Sequence, residues 1–151
     1  MNILRSWLIF ACLAAPATAQ EAVFSPEATE RCLENSRLRA ERVACIGASS
    51  GVCMADGGGS YAESICFSEE GVFWDDRLNA VYQERMAAAR RDDKSLADAL
   101  LNFQRAWIVY RDARCDAVFA AWGEGTGRSP ALAECIMRTT AEQALLLEDG
   151  L

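Results

Sequence analysis

Apolar residues recur at helical spacing along most of the chain after Ser60, in two long runs that lie back to back. In the later run, Leu96, Leu100, Phe103, Trp107, Tyr110 and Arg114 fall on one stripe, and Leu101, Ile108, Cys115, Phe119 and Trp122 on a second. Two apolar stripes predict a helix packed on two sides, and therefore a central one. The polar residues Gln104, Arg111 and Asp112 then enter the core and need partners. The earlier run places Phe67, Gly71, Trp74, Leu78, Val81, Tyr82, Arg85 and Ala89 on one side of a helix ending near Arg91.

Start and stop signals divide the rest. Ser60-Tyr61-Ala62-Glu63 fits a capping box opening the earlier run. Asp92-Asp93-Lys94-Ser95 is a polar turn, with Asp93 or Ser95 as the next cap. The later helix stops at Trp122-Gly123, before a Gly-rich loop over Gly123–Gly127. Ser129-Pro130 opens a last helix to about Glu148, burying Leu132, Cys135, Ile136, Thr139 and Leu146. Upstream, Ser25-Pro26-Glu27 starts a first helix that runs to about Ile46 and stops at Gly47. Ala48–Ala55 forms a short helical turn before the flexible Asp56-Gly57-Gly58-Gly59. No strand pattern or repeat occurs, so the expected fold is an all-α bundle of about four main helices, with a central antiparallel hairpin.

That hairpin has a register. About the turn at Asp92–Lys94, facing residues have numbers totalling roughly 186. Asp75 then faces Arg111, Asn79 faces Trp107, and Tyr82 faces Gln104. This predicts an Asp75–Arg111 salt bridge completed by Asn79, Tyr82 and Gln104.

The N-terminus reads differently. Residues 1–19 have one early Arg, an apolar stretch over Ser6–Ala15, and the small-x-small sequence Ala17-Thr18-Ala19. This is the pattern of a secretory signal peptide, leaving residues 20–151 as one domain. A lipoprotein anchored at Cys12 is the weaker alternative. The apolar stretch is too short to span a bilayer, and no later stretch of the mature chain is apolar enough to do so. The whole chain carries a net charge of −7. Removing the one Arg and no acid leaves 14 bases against 22 acids, a net −8. Such acidity excludes nucleic acid as a natural partner and suits a cationic protein.

Cleavage also removes Cys12, leaving Cys32, Cys45, Cys53, Cys66, Cys115 and Cys135. An even set in an exported chain predicts disulfides. With no His and no C-x-x-C, neither a metal site nor a cofactor is expected. Cys115 and Cys135 straddle the second Gly-rich loop symmetrically and should bond. The other four allow three pairings. A continuous first helix would hold Cys32 and Cys45 about 20 Å apart, beyond disulfide reach. Nested Cys45–Cys53 and Cys32–Cys66 bonds are therefore preferred. The competing set, Cys53–Cys66 with Cys32–Cys45, requires a broken first helix.

Enzyme readings are poor. Without His, Ser-His and Cys-His nucleophiles are impossible. The single lysine, Lys94, lies in a solvated turn. Glu69, Glu70, Asp75 and Asp76 could pair for glycoside cleavage, but acids at these spacings are far more often solvated or salt-bridged.

Cys66, Trp74-Asp75, Leu78-Asn79 and Tyr82, then Gln104-Arg105-Ala106-Trp107-Ile108, Tyr110-Arg111-Asp112-Ala113, Cys115 and Cys135, resemble the lysozyme inhibitor LprI-like family over about Cys53–Leu147. The resemblance implies a small exported helical domain that binds a lysozyme and blocks its cleft. It also implies that Cys53 partners Cys66, favouring the competing disulfide set. The matched residues would build the scaffold. The candidate inhibitory surfaces are the loops Asp56–Tyr61, with Gly57, Gly58 and Gly59, and Gly123–Ser129, with Glu124 and Arg128. The alternative function is an envelope interaction module with no lysozyme involvement.

Overall fold

A computed structural model describes residues 23–55 and 57–150. The signal-peptide reading of residues 1–19, residues 20–22, and Asp56 of the first candidate loop lie outside the described residues. The chain forms α1 (Glu27–Glu34), α2 (Arg39–Ala44), α3 (Ala48–Cys53), α4 (Gly59–Asp92), α5 (Lys94–Ala121) and α6 (Arg128–Asp149). Among the described residues there is no strand.

The expected first helix is in fact two. α1 closes when Asn35 and Ser36 bond back to Arg31, Cys32 and Leu33, and Leu38 takes an extended conformation (φ −90°, ψ 145°). Glu41 holds the restart of α2, accepting from the amides of Arg37 (2.9 Å) and Leu38 (3.0 Å). The Leu38 and Arg37 amides hold its carboxyl below the usual carboxylate range. This break corrects the disulfide expectation. The nested pairing is wrong: Cys32 bonds Cys45, Cys53 bonds Cys66 and Cys115 bonds Cys135, with Cα separations of 5.6, 5.7 and 5.6 Å. The 20 Å objection to Cys32–Cys45 fails because no single helix connects them.

The long helices follow their signals at one end better than the other. Asp93 caps α5 as expected, its Oδ1 accepting from Ser95 N (2.8 Å) and Leu96 N (3.2 Å). α4, however, starts at Gly59 behind a glycine cap, so Ser60 is no N-cap. α6 likewise starts at Arg128, two residues before Pro130.

The central helix is α6, not α5. α6 runs parallel to α4 and antiparallel to α5. Gly71 approaches Met137 near one end of the α4 pair, and Arg77 and Arg85 reach Glu148 at the other. On α5, Cys115 meets Cys135 and Gln104 meets Gln143. Trp74, Leu78, Trp107, Met137, Ala141, Ala144, Leu145 and Leu147 form the core, joined by Leu33, Cys45 and Ile46. Burying each of Trp74, Leu78, Met137, Leu145 and Leu147 contributes about 1.5–3 kcal/mol. With partners on both flanks, α6 buries Cys135 and Thr139 as expected. It also buries Thr140 and Gln143, while Ile136 turns outward. α5 buries only part of each stripe, Leu100 and Trp107 of the first and Cys115 of the second. Ile108 and Trp122 from its second stripe remain 40% and 52% exposed, and Tyr110 from its first 56%.

Near the turn α4 and α5 pack on each other as an antiparallel pair. Met86 and Ala89 of α4 make a second cluster with Ala97 and Leu100 of α5. Further along, α4 and α5 separate around α6.

Candidate partner-binding surface

Glu70 joins the N-terminal layer to the bundle. It lies in the row Cys66–Glu70–Trp74–Leu78, all facing inward, and is fully buried. Its Oε1 accepts from Thr29 Oγ1 (3.0 Å), Gly47 N (2.8 Å) and Trp74 Nε1 (3.1 Å). Its Oε2 accepts from Ser50 N and Ser50 Oγ, each at 2.7 Å. Thr29 and Ser49 exchange two further bonds of 3.0 Å. Gly47 presents its amide from a left-handed conformation (φ +95°), which a side chain would strain. Thus Glu70 is neither solvated nor salt-bridged, as its spacing suggested. It is buried against neutral donors. The signal was present: a carboxylate inside an apolar i, i+4 row demands buried donors.

A second polar cluster ties down the end of α6. Arg42 pairs with both Glu148 and Asp149, Arg39 reaches Asp149 (2.9 Å), and Arg77 Nη2 donates to Glu148 (3.1 Å). Arg85 donates to the Glu148 carbonyl (3.0 Å), satisfying a backbone acceptor at the helix end. These residues come from α2 and α4, and sequence spacing did not relate them.

The expected Asp75–Arg111 salt bridge is absent. Asp75 is exposed and accepts from Asn79 Nδ2 (2.9 Å). Arg111 donates to its neighbour Asp112 (2.9 Å) and lies 5.1 Å above the Trp107 ring. Gln104 meets Gln143 of α6 (3.2 Å) rather than Tyr82, which is half-buried between the two clusters. The reason is the position of α6, which spreads α4 and α5 and takes over the inward contacts of α5. Arg114 shows the same substitution, donating to Thr139 (2.9 Å).

Asp75 and Arg111 nonetheless border one groove of about 290 Å³. Phe67, Gly71, Val72 and Asp75 of α4 form one wall, Arg111 stands on α5, and Ile136, Met137 and Thr140 of α6 line the space between. Of the motif residues, Trp74, Leu78, Trp107 and Cys115 are scaffold, whereas Asp75, Asn79, Ile108, Tyr110 and Asp112 face solvent.

The candidate loops differ from each other. Gly57, Gly58 and Gly59 all have left-handed φ (82°, 127°, 66°), and Tyr61 stands 80% exposed on the first turn of α4. The second loop is closed on itself. Arg128 stacks 4.1 Å over Phe119, donates to the Gly123 carbonyl and pairs with Glu124 at 3.4 Å. The Trp122 ring sits where a side chain on Gly127 would be.

The molecule is thus a helical bundle stapled by three disulfides, with its polar motif residues turned partly outward. Residues 53–147 match the family model described as lysozyme inhibitor LprI. The chain belongs to the lysozyme inhibitor LprI family. An uncharacterized protein of Rhizobium meliloti (strain 1021) is 37% identical over 101 residues, 58% of this chain and 73% of that protein. An uncharacterized 17.7 kDa protein in the puhA 5′ region of Rhodobacter capsulatus is 27% identical over 133 residues, 80% of this chain and 82% of its own length. No solved structure matches this chain. The family match begins at Cys53, so α1, α2 and the Cys32–Cys45 bond lie before it, held to the matched bundle through Glu70 and through the ion pairs of Arg39 and Arg42 with the end of α6.

Proposed function

We propose that this protein is an exported inhibitor that binds a lysozyme and blocks its cleft without catalysing any reaction. The match of residues 53–147 to the lysozyme inhibitor family carries this reading. Net charge supports it, since an acidic surface speeds encounter with a cationic enzyme. Three disulfides support an oxidising compartment, periplasmic or extracellular, consistent with removal of residues 1–19 as a signal peptide. No described helix is long and apolar enough to cross a membrane. A non-catalytic role is supported by Glu70, whose carboxylate is enclosed by its donors and closed to substrate. The test is titration of the oxidised protein into several lysozyme types, following both binding and cell-wall lysis as salt is raised. Salt-sensitive binding with loss of lysis is the expected result. Failure to bind any lysozyme overturns the reading in favour of an envelope module, and glycan turnover would revive an enzyme.

A further inference from the structure

The groove between α4 and α5 combines three features that stability alone does not call for. The first is Gly71, in the interior of the 34-residue α4. Glycine there costs about 1 kcal/mol relative to alanine. Packing does not require it: an added Cβ would lie 3.6 Å from Met137 Cβ, an ordinary contact. What the missing side chain does is keep the groove open. The second is apolar surface left uncovered beside it, with Val72 58% and Ile136 38% exposed. The third is Asp75 at the lip. Among the described residues it has no cationic partner, only Asn79. Arg111 on the far wall is already neutralised by Asp112 and stacked on Trp107.

An apolar trough ending in an unpaired carboxylate is complementary to one kind of group, a long aliphatic stem with a cationic head. We propose that this groove receives a lysine or arginine side chain projecting from a cationic partner protein. The stem lies along Phe67, Val72, Ile136 and Met137, and the head meets Asp75. Under the function proposed above, on which this inference rests, that partner is a lysozyme. The groove, rather than either Gly-rich loop, then anchors the complex.

The experiment compares lysozyme affinity for the wild type, Asp75→Lys, Gly71→Leu and Glu124→Lys, each oxidised and checked by near-UV circular dichroism. Asp75→Lys reverses the lip charge and should weaken binding about tenfold or more. Gly71→Leu fills the trough with no change of charge and should weaken binding comparably. Glu124→Lys makes the same charge change on the second loop, where Glu124 is 99% exposed, and should leave affinity within about twofold. If Gly71→Leu does not fold, the exposed Asp75 substitution decides alone. Wild type that binds no lysozyme overturns both this inference and the proposed function. Wild-type binding with Asp75→Lys within about twofold overturns the groove and leaves the function standing. An equal loss in Glu124→Lys and Asp75→Lys also overturns it, by reducing the effect to net charge.

Discussion

Glu70→Gln keeps the shape of the buried carboxylate but removes its charge and makes one terminal atom a donor. Both carboxylate oxygens receive N–H groups: Gly47 and Trp74 on Oε1, Ser50 on Oε2. Hydroxyls of Thr29 and Ser50 can rotate to accept from an amide, but backbone and indole N–H groups cannot. Whichever way the amide turns, at least one buried N–H faces another donor. Stranding it costs about 1–3 kcal/mol, and the remaining bonds weaken from charge-assisted to neutral. The expected loss is about 2–4 kcal/mol, a large part of the 5–15 kcal/mol typical of a domain. Guanidinium unfolding of the oxidised protein, followed by far-UV circular dichroism, measures it. Amide hydrogen exchange should speed up first at Gly47 and Ser50, whose amides bond this carboxylate directly. Stability within about 0.5 kcal/mol of wild type would refute the reasoning, since it would mean water already solvates the carboxylate.

Three further outcomes are expected. Non-reducing peptide mapping should recover Cys32–Cys45, Cys53–Cys66 and Cys115–Cys135, and a Cys115→Ser/Cys135→Ser variant, which opens the link across 20 residues, should lose about 3 kcal/mol in denaturant melts. Gly71→Ala should raise stability by about 0.5–1 kcal/mol, because the helix gains propensity and the methyl meets only an ordinary contact. Asp93→Ala should lower the melting temperature at pH 7. The Ser95 hydroxyl, then the Leu96 and Ser95 amides, hold the Asp93 carboxyl below its usual range. The charged cap therefore stabilises fully above about pH 4 and fades as pH falls through the depressed folded value. Melts between pH 7 and pH 2 should show the gap between wild type and variant closing on the acid side.

The outward turn of Asp75, Asn79, Ile108, Tyr110 and Asp112 changes how the family motif is understood. Its tryptophans and cysteine hold the bundle together, while its polar residues lie at the surface beside an open groove. A buried network would have made the motif a folding device. An exposed one leaves it available to a partner.

From the sequence alone came the all-α class, the two long helices, the Asp93 cap and the Cys115–Cys135 bond. Each depends on residues near one another in the chain or symmetric about a turn, where periodicity and capping chemistry decide the outcome. The close approach of α4 and α5 beside that turn, where Met86 and Ala89 meet Ala97 and Leu100 in one cluster, was also legible. What lay beyond it was not. The break at Ser36–Leu38 is made by Glu41 reaching back to two amides, and it alone allows Cys32 to meet Cys45. The position of α6 was decided by which apolar faces fit together best. Two stripes on α5 advertised a central helix, but α6, with its small Ala141 and Ala144 in the core, packs against both α4 and α5. Once α6 took that place, Asp75 and Arg111 were left on opposite walls of a groove instead of in contact. Helical periodicity says which faces are apolar, and only close packing of all the helices settles which of them meet.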